Sequence, residues 1–210
     1  MSRVFKIDRD PNDIGCKIFG KSVVELNPGL TVLVGCNGAG KTTMLNMLKY
    51  YLDESSIPVL QFNNLRDGGH HARSYAAFRN DWSFVGASMC ASEGENIMMN
   101  LENFVKQMIS FMKQNRKSDE IWFLLDAVDS GASVDNIVDL RGVIDLIIQD
   151  NPDKKIYFVV SANEYEMCRG AQCFDVNRCA YRTFRGYESY RNFILKSRDR
   201  KNNRKYKEAR

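Results

Sequence analysis

The run GCNGAGKTT at residues 35–43 fits G-x-x-x-x-G-K-[ST] through Gly35, Gly40, Lys41 and Thr42. Each residue type answers a need of phosphate chemistry. Glycines let successive backbone N–H groups turn toward β- and γ-phosphate oxygens, and the lysine adds a point charge. The Thr42 hydroxyl offers a ligand to Mg²⁺, and the helix expected next presents its positive end. Asn37, Gly38, Ala39, Gly40, Lys41, Thr42 and Thr43 are therefore the candidate nucleotide contacts. Further along, EIWFLLD at residues 120–126 reads as an apolar strand ending in Asp126. A carboxylate at such a strand end reaches Mg²⁺ through the ion's water shell. ATP with Mg²⁺ is the expected ligand, since no guanine-reading motif is present.

These residues need elements to hold them. LTVLV at 30–34 reads as a buried strand running into the glycine loop, after an NPG turn. Met44, Leu45, Leu48, Tyr51 and Leu52 recur at helical spacing behind Lys41. RVFKI and KIFGKSVVEL read as an early strand pair, and IPVLQF as a further short strand. Residues 63–91 are rich in Arg, Asn, Asp and Gly, which predicts loops and short helices. A long amphipathic helix follows, with Ile97, Met98, Leu101, Phe104, Val105, Met108, Ile109 and Met112 on one stripe. VDNIVDLRGVIDLIIQD reads as a helix and KKIYFVVSAN as a strand. Strands alternating with helices predict an α/β fold: a largely parallel central sheet flanked by helices, in the manner of a P-loop NTPase.

Bulk properties bound the rest. A chain of 210 residues predicts one principal domain, assigned here to residues 1–184, with a basic helix or tail at 185–210. Net charge is +4, yet residues 185–210 carry +7 and the remainder −3. That basic end, with Tyr187, Tyr190, Phe193 and Tyr206 interleaved, suits contact with nucleic acid or an acidic protein. The competing reading is a solvated helix whose last stretch, 196–210, frays for want of an apolar stripe. No apolar run approaches a membrane span, and the N-terminus lacks a signal segment, so a cytoplasmic protein without membrane contact is expected. The six cysteines lack metal-binding spacing and read as reduced thiols.

The loop sequence GLTVLVGCNGAGKTTMLNML resembles that of ABC-type ATPases, closest in style to soluble SMC/RecF-like members. ASEGE at 91–95 resembles the signature of that family, with Ser92, Gly94 and Glu95 matching and Ala91 and Glu93 departing. The resemblance implies that Ser92 meets the γ-phosphate held by a second copy, hence an ATP-dependent homodimer. Ser92 and Glu95 also fit a plain helix capping box. LLDAVDSGAS resembles the family's metal-site segment, but Ala127 stands where the water-polarising glutamate belongs. The loop aspartate of the family falls at Ser133, with Asp129 and Asp135 nearby. YFVVSANEYE resembles the switch strand, with Asn163 in place of its histidine, and Gln61 is the candidate for the metal-lining glutamine.

The resemblance thus implies ATP binding with hydrolysis slow or blocked. Three accounts of Ala127 fit: an engineered trap, a native alanine with Asp129 or another carboxylate in the role, or a slow nucleotide switch. A non-catalytic nucleotide-sensing adaptor is the first alternative function. A small metabolite kinase with Arg66, Arg73 and Arg79 in a lid is the second.

Overall fold

The computed structural model describes residues 2–11, 17–64 and 93–208. Two short strands, β1 (Arg3–Lys6) and β2 (Val23–Leu26), pair antiparallel as a separate ribbon. The main sheet holds β3 (Gly29–Val34), β4 (Val59–Asn63), β5 (Glu120–Asp126), β6 (Lys155–Ser161), β7 (Gln172–Asp175) and β8 (Ala180–Arg182). Their order is β4-β5-β6-β3-β7-β8. All neighbours run parallel except β8, which turns back on β7. The α/β fold with a largely parallel sheet is therefore the one expected.

Parallel sheets are covered on both faces, and this one shows why its strands are apolar throughout. On β5, Trp122 and Leu124 point to one side while Ile121, Phe123 and Leu125 point to the other. Helix α1 (Lys41–Glu54) and the β1–β2 ribbon cover the first side, burying Phe5, Leu26, Met44, Leu45, Leu48 and Leu52. Helices α2 (Glu93–Gln114) and α3 (Val134–Gln149) cover the second with Phe104, Met108, Ile137, Leu140 and Ile144. Between β5 and β6, the register partners Trp122 and Tyr157 stack at 3.9 Å, and Phe123 stacks on Phe158 at 4.5 Å. Such aromatic rungs fix the pairing of the two strands that later deliver Asp126 and Asn163.

The remaining elements are the short helix α4 (Tyr165–Cys168) and the long helix α5 (Tyr187–Glu208). The end of the chain departs from the fraying expected for 196–210. Helix α5 runs on to Glu208, and Tyr190, Phe193 and Ser197 are buried. The stripe is hard to see in sequence because its third member is polar, and Ser197 loses no hydrogen bonding on burial. Its hydroxyl accepts from the Cys36 N–H at 3.3 Å and donates to Asn177 Oδ1 at 3.4 Å. Among the described residues, no helix is long and apolar enough to cross a membrane. Cys36, Cys168, Cys173 and Cys179 are free buried thiols.

Candidate functional site

The site forms where the strands end, at the C-terminal edge of the parallel sheet, which is where open α/β sheets bind ligands. Strand β6 lies between β3, which feeds the glycine loop, and β5, which ends in Asp126. Residues just past β6 therefore fall between Lys41 and Asp126. That placement gives Asn163 its position.

The loop itself is shaped by Gly38 and Gly40, both in the left-handed region at φ 75° and 100°. A Cβ on Gly40 would also stand 2.8 Å from Ile18 Cγ2, so glycine is required there twice over. Gly40 is the N-cap of α1 and provides no side-chain cap. The first intrahelical acceptor is used by Met44, whose N–H reaches Gly40 O at 2.9 Å. The N–H groups of Lys41, Thr42 and Thr43 thus open the helix toward the site, a natural anion cradle. Asn177 braces the outer side of the loop, donating to Ala39 O at 2.9 Å and Ile18 O at 3.2 Å.

Lys41 is buried and turned inward, its Nζ donating to Gly35 O at 2.9 Å and Asn163 Oδ1 at 3.0 Å. Burial holds its pKa below the usual lysine value, while the negative charges of Asp129 and Asp126 work in the opposite direction. Asp126 is buried as well. It accepts from the Ser161 hydroxyl on Oδ1 and from Asn63 Nδ2 at 3.0 Å on Oδ2. Thr42, the second residue of α1, is exposed.

Ala127 follows Asp126 in the left-handed conformation, φ 53°, and its N–H donates to Ser161 Oγ at 3.0 Å. The position expected to hold a water-polarising carboxylate presents only a methyl group. The neighbouring carboxylate is Asp129, 5% exposed. Its Oδ2 accepts the N–H of Asn163 and, at 2.6 Å, that of Glu164. Its Oδ1 is buried without a hydrogen-bond partner among the described residues. Asn163 is held a third way, by the Tyr190 hydroxyl donating to its carbonyl from α5. Burial, with nearby thiol and carboxylate charge, pushes the Tyr190 pKa up, so the hydroxyl stays a donor at ordinary pH.

Other residues singled out by sequence fall variously. Gln61 sits on β4 with its amide on Asn46 Oδ1 at 3.1 Å, while its neighbour-but-one Asn63 is the residue on Asp126. Ser133 stands at the N-cap position of α3 without a side-chain cap hydrogen bond, and Asp135 in the first turn is exposed. Ser92 lies outside the described residues, as do Arg66, Arg73 and Arg79; Gly94 and Glu95 are in the first turn of α2. Asn37 is exposed, and its carbonyl accepts from Lys201 Nζ of α5 at 2.7 Å. Asn63, Ser161, Asn177, Ser197 and Lys201 were not found by motif, because none belongs to a local pattern. Only the tertiary pairing brings them to the loop.

A glycine loop capping a buried strand, an acidic strand two places away and a helix opening on the loop define a P-loop NTPase. Comparison of the sequence with family models agrees: that of the AAA domain matches residues 14–207. The chain belongs to this family of AAA-type P-loop ATPases. No curated protein matches it.

Proposed function

We propose that this chain is an ABC-type, SMC/RecF-like member of its family that binds ATP with Mg²⁺ and signals the bound state by closing into a homodimer. Hydrolysis is held slow by Ala127. The observation that carries the reading is the convergence of Lys41 and Asn163, 3.0 Å apart, and Asp126 on one strand edge where position 127 lacks a carboxylate. The donor set fits the ligand: an uncapped helix start, an inward lysine, and the hydroxyl and carboxylate oxygens that a hard cation prefers. Mg²⁺ would supply charge neutralisation across the phosphates. Lys41 would leave Gly35 O for phosphate oxygen, and the Asn163 side chain would turn with it while its backbone stays tied to Asp129 and Tyr190. Thr42 and Asp126 would hold the metal, Asp126 being kept acceptor-ready by Ser161 and Asn63.

In the dimer, Ser92, Gly94 and Glu95 of one copy would face the phosphates on the other. A nucleic-acid or protein partner is proposed for residues 185–210. Tyr190 and Phe193 are buried in the body and serve packing, which leaves Tyr187, 57% exposed, as an aromatic for base contact. The adaptor reading shares the same geometry and differs only in having no turnover at all.

The test compares ATP turnover and sedimentation of the chain with those of Ala127→Glu. A positioned base contributes about 10²–10⁴ in rate, so the variant should gain turnover in that range. Its ATP-bound dimer should be shorter-lived than the parent's. No nucleotide-dependent dimer in either form would refute the homodimer. Turnover unchanged by the glutamate would refute Ala127 as the brake.

A further inference from the structure

A second cluster of cations lines a cleft of about 540 Å³ formed by the turn before β8, β8 and α5. Arg178 comes from the turn before β8, Arg182 ends β8, and Lys196 and Arg200 stand one turn apart on α5. Asp199 and Asn192 also line it. Like charges four apart on a helix cost a few tenths of a kcal/mol, and clustering four cations costs more. Asp199 offsets only part of that charge, and Asp175 sits behind Arg182 at 3.7 Å, too far for a hydrogen bond.

Arg182 is prepared for a ligand. Its guanidinium lies over the Phe193 ring at 4.0 Å and the Phe184 ring at 4.9 Å, which fixes its plane. Its Nε is buried and donates to nothing among the described residues. Burial lowers its pKa first; Asp175 opposes that, and the like charges of Arg178 and Arg200 add to it. Arginine stays charged regardless, and Asp175 answers that charge from the buried side, which leaves Arg178, Lys196 and Arg200 facing the cleft with Asp199 as the carboxylate among them.

We propose that this cleft is a phosphate-binding site, with Arg178, Lys196 and Arg200 as its accessible cations and Arg182 as its fixed floor. Planar guanidinium forks match phosphate oxygens two at a time, and three of them with a lysine suit several phosphate charges rather than one carboxylate. The source of the phosphate is either the backbone of a nucleic-acid strand or a free phosphate compound. The first source rests on the nucleic-acid part of the proposed function; the site itself depends on neither ATP binding nor dimerisation.

The experiment uses the full chain carrying Lys41→Ala, which weakens the competing pull of the nucleotide loop. Two probes are titrated: inorganic pyrophosphate by calorimetry, and a fluorescein-labelled DNA single strand by anisotropy, at about 50 and 200 mM salt. Arg178→Gln/Arg200→Gln is compared with Arg178→Lys/Arg200→Lys; both alter side chains that reach solvent, and a matched melting temperature verifies folding. Binding of either probe should fall about tenfold or more in the Gln pair and persist in the Lys pair. For the strand, the log–log salt slope should flatten by about 1.4, at roughly 0.7 per phosphate released. Pyrophosphate alone responding identifies a free phosphate compound, and the strand responding identifies a backbone site. If neither probe distinguishes the Gln pair from the parent, the cleft is overturned, and a strand that still binds places nucleic-acid contact elsewhere. Absence of binding by both probes overturns both.

Discussion

Asp129→Asn separates a structural tie from a bystander at the candidate site. Asp129 is 5% exposed, so solvent screening gives its hydrogen bonds little discount. Its Oδ2 accepts two backbone N–H groups, from Asn163 and Glu164. Hydrogen bonds to a charged acceptor contribute about 1.5–3 kcal/mol net and neutral ones about 0.5–1.5, so the isostere forfeits roughly 1–1.5 kcal/mol per bond. It also removes the largest charge that supports protonated Lys41. Against this, Asn relieves the unpartnered Oδ1 of its charge. The net loss should be about 2 kcal/mol, and for a chain of this size each kcal/mol moves Tm by about 2–4 °C. A fall of about 4–8 °C is expected by calorimetry, with Asp129→Ala lower still because both N–H groups then lose their acceptor. Nucleotide affinity should fall as well, since Asn163 loses the contact that fixes its backbone beside Lys41. A Tm within a degree of the parent for both variants would refute the tie.

Proton linkage gives a second prediction. The burial-lowered Lys41 has a folded pKa beneath its ordinary 10.5, so between those values the unfolded chain holds more protons. Through this group stability therefore rises with pH in that window. Phosphate reverses the bias by restoring the charged form, so ATP binding at alkaline pH should take up protons and weaken as pH rises. Calorimetry in two buffers of different ionisation enthalpy measures the uptake, and proton release would contradict the assignment. Phe193→Ala empties a buried ring site and withdraws the Arg182 stack, a loss of about 3–5 kcal/mol by analogy with other core phenylalanines. Tm should drop by about 6–20 °C on the same scale, and an unchanged Tm would mean that α5 is not docked.

The parts legible in sequence were those whose chemistry is local. Residues 35–43 and the strand ending at Asp126 each carry their meaning within a few positions. The alternation of strands and helices gave the parallel sheet, but not its order. Placing β6 between β3 and β5 is what brings Asn163 to Lys41, and nothing in the chain before folding states it. Register had the same effect at β4: pairing Asn63 with Asp126 puts Asn63, rather than Gln61, on the carboxylate. Helix α5 was misread at its far end because Ser197 and Lys201 contact backbone of the loop, through Cys36 N and Asn37 O. Periodicity detects apolar partners and has no means of finding a carbonyl.

Under the proposed function, Ala127 is where binding and chemistry would come apart on this scaffold. A left-handed alanine costs about 1–2 kcal/mol relative to the ordinary helical conformation, and glycine would avoid much of that. The strain is held because its N–H is tied to Ser161, the same hydroxyl that donates to Asp126. Backbone geometry at position 127 is thus tied through Ser161 to Asp126, independently of the side chain there. Asn163 is likewise fixed from three sides, by Lys41, Asp129 and Tyr190. A chain that retained these ties while lacking a carboxylate at 127 would keep the shape that ATP requires and lose the rate. That is why placing Glu at position 127 tests function without rebuilding the site.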